Sequence, residues 1–272
     1  IIDLTEKEFP KKIPINKYSD SQCDVEYIRG LDEHLDLLED LIHSARVKLE
    51  VFSKTLNFLP DNIFNALKDA RRRNVNIILT VQDVKSEVAY NSLEYIGVQI
   101  NEDRKTHTKF VFVDDKVSVI GSFNFLDYNQ DKEEYFGICD CSLKISDLDN
   151  SGFAKQIRGK IYQNMILIES NKDLPIYLLR KQLGNSSITL LPNSFQHEDF
   201  LKYMLRAAKK RVTIYSPFIT SRNAEKRLKL IADEIHQGVK LVLHINPQNR
   251  KLLEWILTKT PKLKHMTEIK ES

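Results

Sequence analysis

The sequence is poor in several features that mark specialised classes of protein. Its 272 residues include only three cysteines, too few for the disulfide framework of a small secreted domain. No apolar run approaches the ~20 residues that a membrane-spanning helix needs, and no secretory signal is visible. The chain is long enough to bury a substantial core. We therefore expect a protein of a reducing compartment, located in the cytoplasm.

The sequence also lacks a strong excess of charge of either sign. Forty-one Lys and Arg residues stand against 38 Asp and Glu residues, a formal net charge of +3, so the field of the whole molecule attracts a polyanion only weakly. Three basic stretches remain candidates for contacts with a phosphate backbone: Arg71–Arg73, Lys209–Arg211 and the scattered basic residues from Lys226 to Lys264. For Arg71–Arg73 the alternative is that they complement the C-terminal dipole of a helix.

Metal-ligand patterns are absent as well. Cys139 and Cys141 lack a second ligand pair, so the sequence predicts no zinc site. Most of the histidines lie in helical or strand segments without partners at ligand spacing, and we expect structural positions for them: His34, His43, His197, His236 and His244. Trp255 stands among leucines and isoleucines at helical spacing, which favours a core position.

Strands and helices alternate along the chain. Apolar strands at Val47–Phe52, Val75–Val81 and Val98–Ile100 are separated by amphipathic helical segments. This order predicts an α/β fold in which helices flank a mixed sheet.

The same pattern returns in the last third of the chain. Val212–Ser216 aligns with the strand that ends at Ser53, and Val239–Ile245 aligns with Val75–Val81. This repeat predicts two similar halves. The expected divisions are an N-terminal extension at 1–25, a first half at 26–169, a linker at 170–190 and a second half at 191–272.

Residues 107–124 carry two pairs of polar side chains, and each pair is spaced two residues apart. His107 and Lys109 begin an apolar run, so in a strand both leave the same face. A polar break that starts at Asp114 predicts a tight hairpin turn, after which Ser122 and Asn124 follow the partner strand. We expect an imidazole, an ammonium, a hydroxyl and a carboxamide to converge there. Such a set can attack a phosphorus atom and hold its oxygens without a metal.

The pattern HxKx4Dx6GSxN, with all its specified residues present from His107 to Asn124, resembles the signature of the phospholipase D superfamily. The continuation Gly-Ser-Phe-Asn-Phe resembles the nuclease branch of that family. There a glutamate about ten residues further on orients the catalytic histidine, a place that Glu134 fits, with Glu133 as the competing choice. Phe125 is a candidate for stacking on a base; a core position is the alternative.

The resemblance implies a metal-independent phosphodiesterase without cofactors, in which His107 forms a phosphohistidine. Lys109, Ser122 and Asn124 would hold the non-bridging oxygens of the phosphate. Asp114 completes the catalytic set; its odd parity from His107 predicts a supporting role at the hairpin.

The family's mechanism uses a second motif, whose histidine protonates the leaving oxygen. The repeat register predicts it at about residue 270 or beyond, yet His265 is followed by Met266 and Thr267. We therefore expect a second motif from a missing C-terminal segment or from a dimer partner. The predicted activity is a nuclease acting on DNA or RNA. The alternatives are a phospholipase or phosphatidyltransferase, and a non-catalytic scaffold that binds nucleic acid.

Overall fold

The computed structural model describes residues 18–19, 23–104, 107–128, 140–148, 152–169, 179–183, 186–190, 194–215 and 221–271. These residues fall into two compact units, one within residues 13–190 and the other starting at residue 191. The predicted α/β fold, a mixed sheet flanked by helices, is confirmed. No helix in the described part of the chain is both long enough and apolar enough to cross a membrane.

The first unit contains ten strands and four helices in its described residues. They are β1 (Tyr18–Ser19), β2 (Cys23–Arg29), α1 (Gly30–Ser44), β3 (Lys48–Leu56), α2 (Asp61–Arg72), β4 (Asn76–Val84), α3 (Glu87–Tyr95), β5 (Gln99–Glu102), β6 (Lys109–Val113), β7 (Val117–Gly121), β8 (Cys141–Asp147), α4 (Phe153–Glu169), β9 (Leu179–Leu183) and β10 (Ser186–Leu190).

Eight of these strands form one sheet, in the order β1-β2-β8-β7-β6-β3-β4-β5. β3, β4 and β5 are parallel to each other, and the other neighbouring pairs are antiparallel. Phe52 of β3 pairs with Phe110 of β6, and Lys109 of β6 pairs with Gly121 of β7. Because of these directions, β3 and β7 end at the same edge of the sheet at which β6 and β8 begin.

The sheet buries an apolar layer on each face. Val51 and Val111 join a core built with α1, α2 and α3. Phe52 is the neighbour of Val51 in β3, and Phe110 is the neighbour of Val111 in β6. These two phenylalanines join a second core with α4. Successive side chains of a strand point to opposite faces, so the continuous apolar runs of β3 and β6 are explained by a sheet covered on both sides.

A buried ionic network lies between α4 and the sheet. Glu50 of β3 is 1% exposed. It accepts hydrogen bonds from both Arg158 Nε and Nη2, from the Tyr162 hydroxyl at 2.6 Å and from Lys48 Nζ at 2.9 Å. Burial alone would raise the pKa of Glu50, but these bonds outweigh it and hold the pKa below its ordinary value. The carboxylate is therefore charged and fully paired, which a buried charge requires.

The second unit repeats the parallel part of the first. Its elements are α5 (Ser194–Ala207), β11 (Arg211–Tyr215), α6 (Ser221–Glu234), β12 (Lys240–Ile245), α7 (Arg250–Thr258), α8 (Pro261–Lys264) and β13 (Thr267–Glu271). The order β11-β12-β13 is parallel throughout. A helix precedes β11 as α1 precedes β3, so β13 corresponds to β5, the strand that comes before the motif in the first unit.

The structure adds a detail to one expectation and contradicts another. The segment expected as a linker at 170–190 contains an antiparallel hairpin, in which β9 pairs with β10. Trp255, expected in the core, is 50% exposed on α7. Helical periodicity shows which residues share a face but not how wide the buried part of that face is, and the tryptophan lies at its margin.

Candidate active site

The motif forms the predicted hairpin of β6 and β7. Asp114 and Asp115 have φ values of 51° and 55°, and the Lys116 N–H donates to the Val113 carbonyl at 2.9 Å. A turn with positive φ at both central residues has the twist that two antiparallel strands require. Aspartate tolerates this left-handed backbone better than most residues, which explains the two consecutive aspartates.

The Asp114 carboxylate anchors this turn. It accepts hydrogen bonds from the backbone N–H groups of Arg46, Val47 and Lys48 at 2.7, 2.9 and 2.7 Å. Asp114 follows the last residue of β6, whereas His107 precedes the first. Its contacts therefore join the hairpin to the connection between α1 and β3, at the opposite end of β6 from the histidine.

His107 and Lys109 lie at the start of β6. The strand begins at Lys109, so His107 stands just before it rather than within it, and its side chain is exposed. Lys109 is 9% exposed, and its Nζ donates to the His107 carbonyl at 2.9 Å. The buried ammonium thus supports the main chain that carries the imidazole.

Ser122 and Asn124 follow β7 at the same edge. The Cys141 N–H donates to Ser122 Oγ at 3.1 Å. The Lys54 N–H donates to Asn124 Oδ1 at 3.2 Å. Because its amide oxygen is engaged, Asn124 retains its NH2 group as the donor for a substrate oxygen.

The glycine of the motif is required by close packing. A Cβ at Gly121 would lie 2.1 Å from Ser142 Oγ and 2.3 Å from the Cys141 carbonyl oxygen. Ser142 Oγ is held 2.8 Å from His34 Nε2, and His34 Nδ1 lies 2.5 Å from the Gly30 carbonyl. A carbonyl only accepts, so Nδ1 carries the proton and Nε2 accepts from the serine. His34 is accordingly a satisfied core histidine, stacked at 4.3 Å on the ring of Phe123.

The electrostatics of this edge favour a neutral imidazole. Partial desolvation lowers the pKa of His107, and the positive charges of Lys109 and Lys54 lower it further. Burial also lowers the pKa of Lys109 to about 8, with a further lowering by Lys54 and an opposing effect of Asp140. At neutral pH the site therefore presents an uncharged histidine beside a cationic lysine.

Lys54 and Asp140 were missed by the sequence reading. Lys54 lies in β3, which runs to Leu56 although the apolar pattern suggested an end at Ser53. A polar residue that continues a strand beyond its apolar run is a signal that could have identified it. Asp140 reaches the site because β8 starts beside the end of β7, and no sequence pattern indicated that pairing.

The sequence also predicted Glu134 and Phe125 as site residues. Glu134, and Glu133 as its alternative, lie outside the described residues. Phe125 is 2% exposed and packs in the core against His34, with the ring centroids 5.8 Å apart. This burial argues against the predicted substrate contact, because a stacking ring must be open to solvent.

The basic stretch at the end of α2 is engaged in structural contacts. Arg73 Nη2 donates to the carbonyls of Ile42, His43 and Ala45 at the C-terminus of α1, at 3.0, 3.3 and 3.4 Å. Arg71 Nη1 donates to the Val75 carbonyl at 2.5 Å, and Arg72 pairs with Asp69 at 2.8 Å. These contacts favour the helix-dipole interpretation over a phosphate surface.

The chain is similar to one known family and to several solved structures. Residues 38–140 match the family model described as cardiolipin synthase, PLD-like domain. Polyphosphate kinase from Porphyromonas gingivalis is 13% identical, with a TM-score of 0.55 over 92% of this chain and 37% of that chain. Phosphatidylserine synthase from Haemophilus influenzae is 11% identical, with a TM-score of 0.53 over 91% of this chain and 72% of that chain.

A phospholipase D family member, Nuc, from Salmonella typhimurium is 19% identical, with a TM-score of 0.40 over 51% of this chain and 91% of that chain. No curated protein matches the sequence. The sheet, the hairpin motif and the match over residues 38–140 are those of an α/β domain of the phospholipase D type. Within this chain, residues 38–140 are similar to the PLD-like domain that the family model describes.

Proposed function

We propose that this chain is a metal-independent phosphodiesterase that cleaves nucleic acid through a covalent intermediate on His107. The observation that carries the proposal is the exposed imidazole of His107, whose pKa is lowered, at the same sheet edge as three groups that can donate to phosphate. Those groups are the Lys109 ammonium, the Ser122 hydroxyl and the Asn124 amide.

In the first step a neutral ring nitrogen of His107 attacks phosphorus. An N–P bond forms and the P–O bond to the leaving group breaks, which divides one difficult hydrolysis into two easier displacements. Negative charge grows on the non-bridging oxygens, where Lys109, Ser122 and Asn124 donate hydrogen bonds. Lys54 adds a second cation to this edge, and its lowering of the His107 pKa favours the reactive neutral form.

The leaving oxygen needs a proton, and the water of the second step needs a base. The motif His-x-Lys occurs once in the sequence, so we assign both tasks to a second histidine, supplied by a further segment or by a second copy of the chain. Glu134 remains the predicted residue that orients His107.

Two observations support nucleic acid as the substrate. The Gly-Ser-Phe-Asn-Phe context of the motif resembles the nuclease branch. In addition, residues 191–272 carry sixteen Lys and Arg against eight Asp and Glu, a net +8, whereas residues 1–190 carry 25 against 30, a net −5, which together give the +3 of the chain. A strongly basic unit favours a polyanionic partner. The description of the matching family favours a second candidate, transfer or hydrolysis at a lipid phosphodiester.

The first experiment tests the nucleophile without the second histidine. A 4-nitrophenyl ester of a nucleotide has a leaving group that departs without protonation, so the intact chain should release one nitrophenolate per active site in a burst. His107→Ala should abolish this burst, and His43→Ala, which alters an exposed histidine outside the motif, should preserve it. A burst that survives His107→Ala would refute the covalent mechanism.

The second experiment identifies the substrate. A labelled oligonucleotide and a fluorescent phospholipid are incubated with the wild-type chain and with His107→Ala, in the presence of EDTA. We expect cleavage of the oligonucleotide once the second histidine is supplied, by a second copy of the chain or by the further segment, and a rate reduced roughly 10³-fold or more by the substitution. The rate should fall above about pH 8 as Lys109 loses its proton. Turnover of the lipid alone would support the second candidate, and activity that EDTA abolishes and a divalent cation restores would exclude the phosphohistidine mechanism.

A further inference from the structure

The exposed face of α7 presents an aromatic ring between two cations. Lys251, Trp255 and Lys259 are spaced four residues apart, so they lie on one face of the helix and of its C-terminal cap. All three are exposed, with Trp255 at 50%. Leu253 and Ile256 are buried on the opposite side, so the packing of α7 does not require the indole.

The two lysines are not committed to carboxylates. Among the described residues, no Asp or Glu oxygen lies within ion-pair distance of Lys251 or Lys259. The carboxylate next to the ring in sequence, Glu254, accepts from Arg250 Nε at 2.8 Å, and the same arginine also binds Glu271 at 2.8 Å. Glu254 and Glu271 are therefore paired with Arg250, while the ammonium groups of Lys251 and Lys259 remain available to an anion.

The ring already holds a cation. Lys259 Nζ lies 3.7 Å from the centroid of the Trp255 ring, the geometry of a cation–π contact. At an exposed site this contact is weaker than the stacking of a nucleobase on an aromatic ring. The Lys259 side chain has a flexible stem, so it can leave the ring for a phosphate when a base arrives.

We propose that Lys251, Trp255 and Lys259, here called the α7 surface, bind single-stranded nucleic acid. One unpaired base stacks on the indole, and the lysines, which lie about 12 Å apart along the helix, contact the phosphates on either side. The unit around the surface carries the net +8 of residues 191–272. Stacking requires an unpaired base, so a duplex binds less tightly. The choice of nucleic acid over other polyanions rests on the proposed function.

The chain contains a single tryptophan, so its intrinsic fluorescence reports on the α7 surface directly. His107→Ala protein, which cannot consume the ligand, is titrated with a thymidine oligonucleotide. We expect saturable quenching. Trp255→Leu should weaken binding about tenfold or more, as measured by the fluorescence anisotropy of a labelled oligonucleotide.

Charge variants test the phosphate contacts. Lys251→Gln combined with Lys259→Gln should reduce the slope of log K against log salt by about 1.4, since each single-strand phosphate contact contributes about 0.7. The control is Lys229→Gln with Lys226→Gln, which removes the same charge from exposed positions of α6 and should leave the quenching intact. Equal effects of the two pairs of substitutions would show that binding is non-specific electrostatic attraction, and would overturn the proposal.

Three ligands separate the possible sources of a signal. Inorganic polyphosphate supplies charge without bases and should quench little, and a matched duplex should bind more weakly than the single strand. Vesicles of anionic phospholipid should leave the emission unshifted. A blue shift with vesicles, together with no quenching by the oligonucleotide, would identify a membrane surface instead and overturn the proposal. Cleavage without quenching would refute the α7 surface alone. Quenching without cleavage, when the second histidine is supplied, would leave the α7 surface standing and refute the proposed nuclease.

Discussion

Replacing Asp114 by alanine should destabilise the first unit far more than the same replacement at the adjacent Asp115. The two residues share the turn between β6 and β7 and the same left-handed backbone, with φ values of 51° and 55°. Their carboxylates differ in their contacts. Asp114 accepts from three backbone N–H groups at 2.7–2.9 Å, whereas Asp115 makes one exposed ion pair with Lys155 at 3.4 Å.

The expected difference follows from these contacts. A hydrogen bond to a charged group contributes about 1.5–3 kcal/mol when buried, and Asp114 is half-buried, so about 1 kcal/mol for each bond gives about 3 kcal/mol in all. An exposed ion pair contributes about 0–1 kcal/mol. Alanine in a left-handed conformation costs about 1 kcal/mol at either position, so this cost cancels. Asp114→Ala should therefore lower the free energy of unfolding by about 2–3 kcal/mol more than Asp115→Ala.

The measurement is urea unfolding followed by far-UV circular dichroism for both alanine variants. Asp114→Asn belongs in the same series, because asparagine tolerates the left-handed backbone and keeps one acceptor oxygen, and it should fall between the wild type and Asp114→Ala. If the two alanine variants differ by less than about 0.5 kcal/mol, the three bonds do not stabilise the fold and the assigned role of Asp114 is wrong.

Four other predictions rest on the ionic network, the packing at Gly121 and the charges at the site. Arg158→Met should cost about 3 kcal/mol in unfolding free energy because it leaves Glu50 buried and undercompensated, and adding Glu50→Leu should recover most of the loss. Since the pKa of Glu50 is lowered, its contribution is present above the ordinary pKa and is lost as the pH falls through the folded value, so Glu50→Gln should flatten the acid limb of the stability curve. Gly121→Ala should reduce stability by about 2 kcal/mol or more, because two of the three clashing atoms, the Cys141 carbonyl oxygen and Ser142 Cα, are main chain. In the pH profile of kcat/KM, the acid limb should lie below the ordinary pKa of histidine, and Lys54→Gln should move it to higher pH as His107 regains its proton affinity.

The hairpin shows how far sequence patterns reach at this site. Residues two apart in a strand share a face, and a polar break between two apolar runs predicts a turn, so His107, Lys109, Ser122 and Asn124 could be placed at one edge in advance. The structure moves His107 to the position just before β6. This change leaves the imidazole at the surface, where a substrate can reach it.

Patterns within a segment could not reveal contacts between distant segments. Glu50 and Arg158 are separated by 108 positions, as are His34 and Ser142. In the sequence, Glu50 is a charge inside an apolar strand, and His34 is one of several isolated histidines. Only the placement of α4 over one face of the sheet and of α1 over the other brings each residue to its partner.

The sequence alone predicted the reaction class, because the residue types of the motif and their spacing are local properties of one hairpin. It also predicted the repeat, because the same order of apolar strands and amphipathic helices occurs twice along the chain. The tertiary structure decided the charge state of the site. The lowered pKa values of His107 and Lys109 arise from desolvation and from the charge of Lys54, and both depend on which strands become neighbours. The same physics decided the exposure of Trp255, since burial is a property of the packed unit and not of the helix that carries the residue.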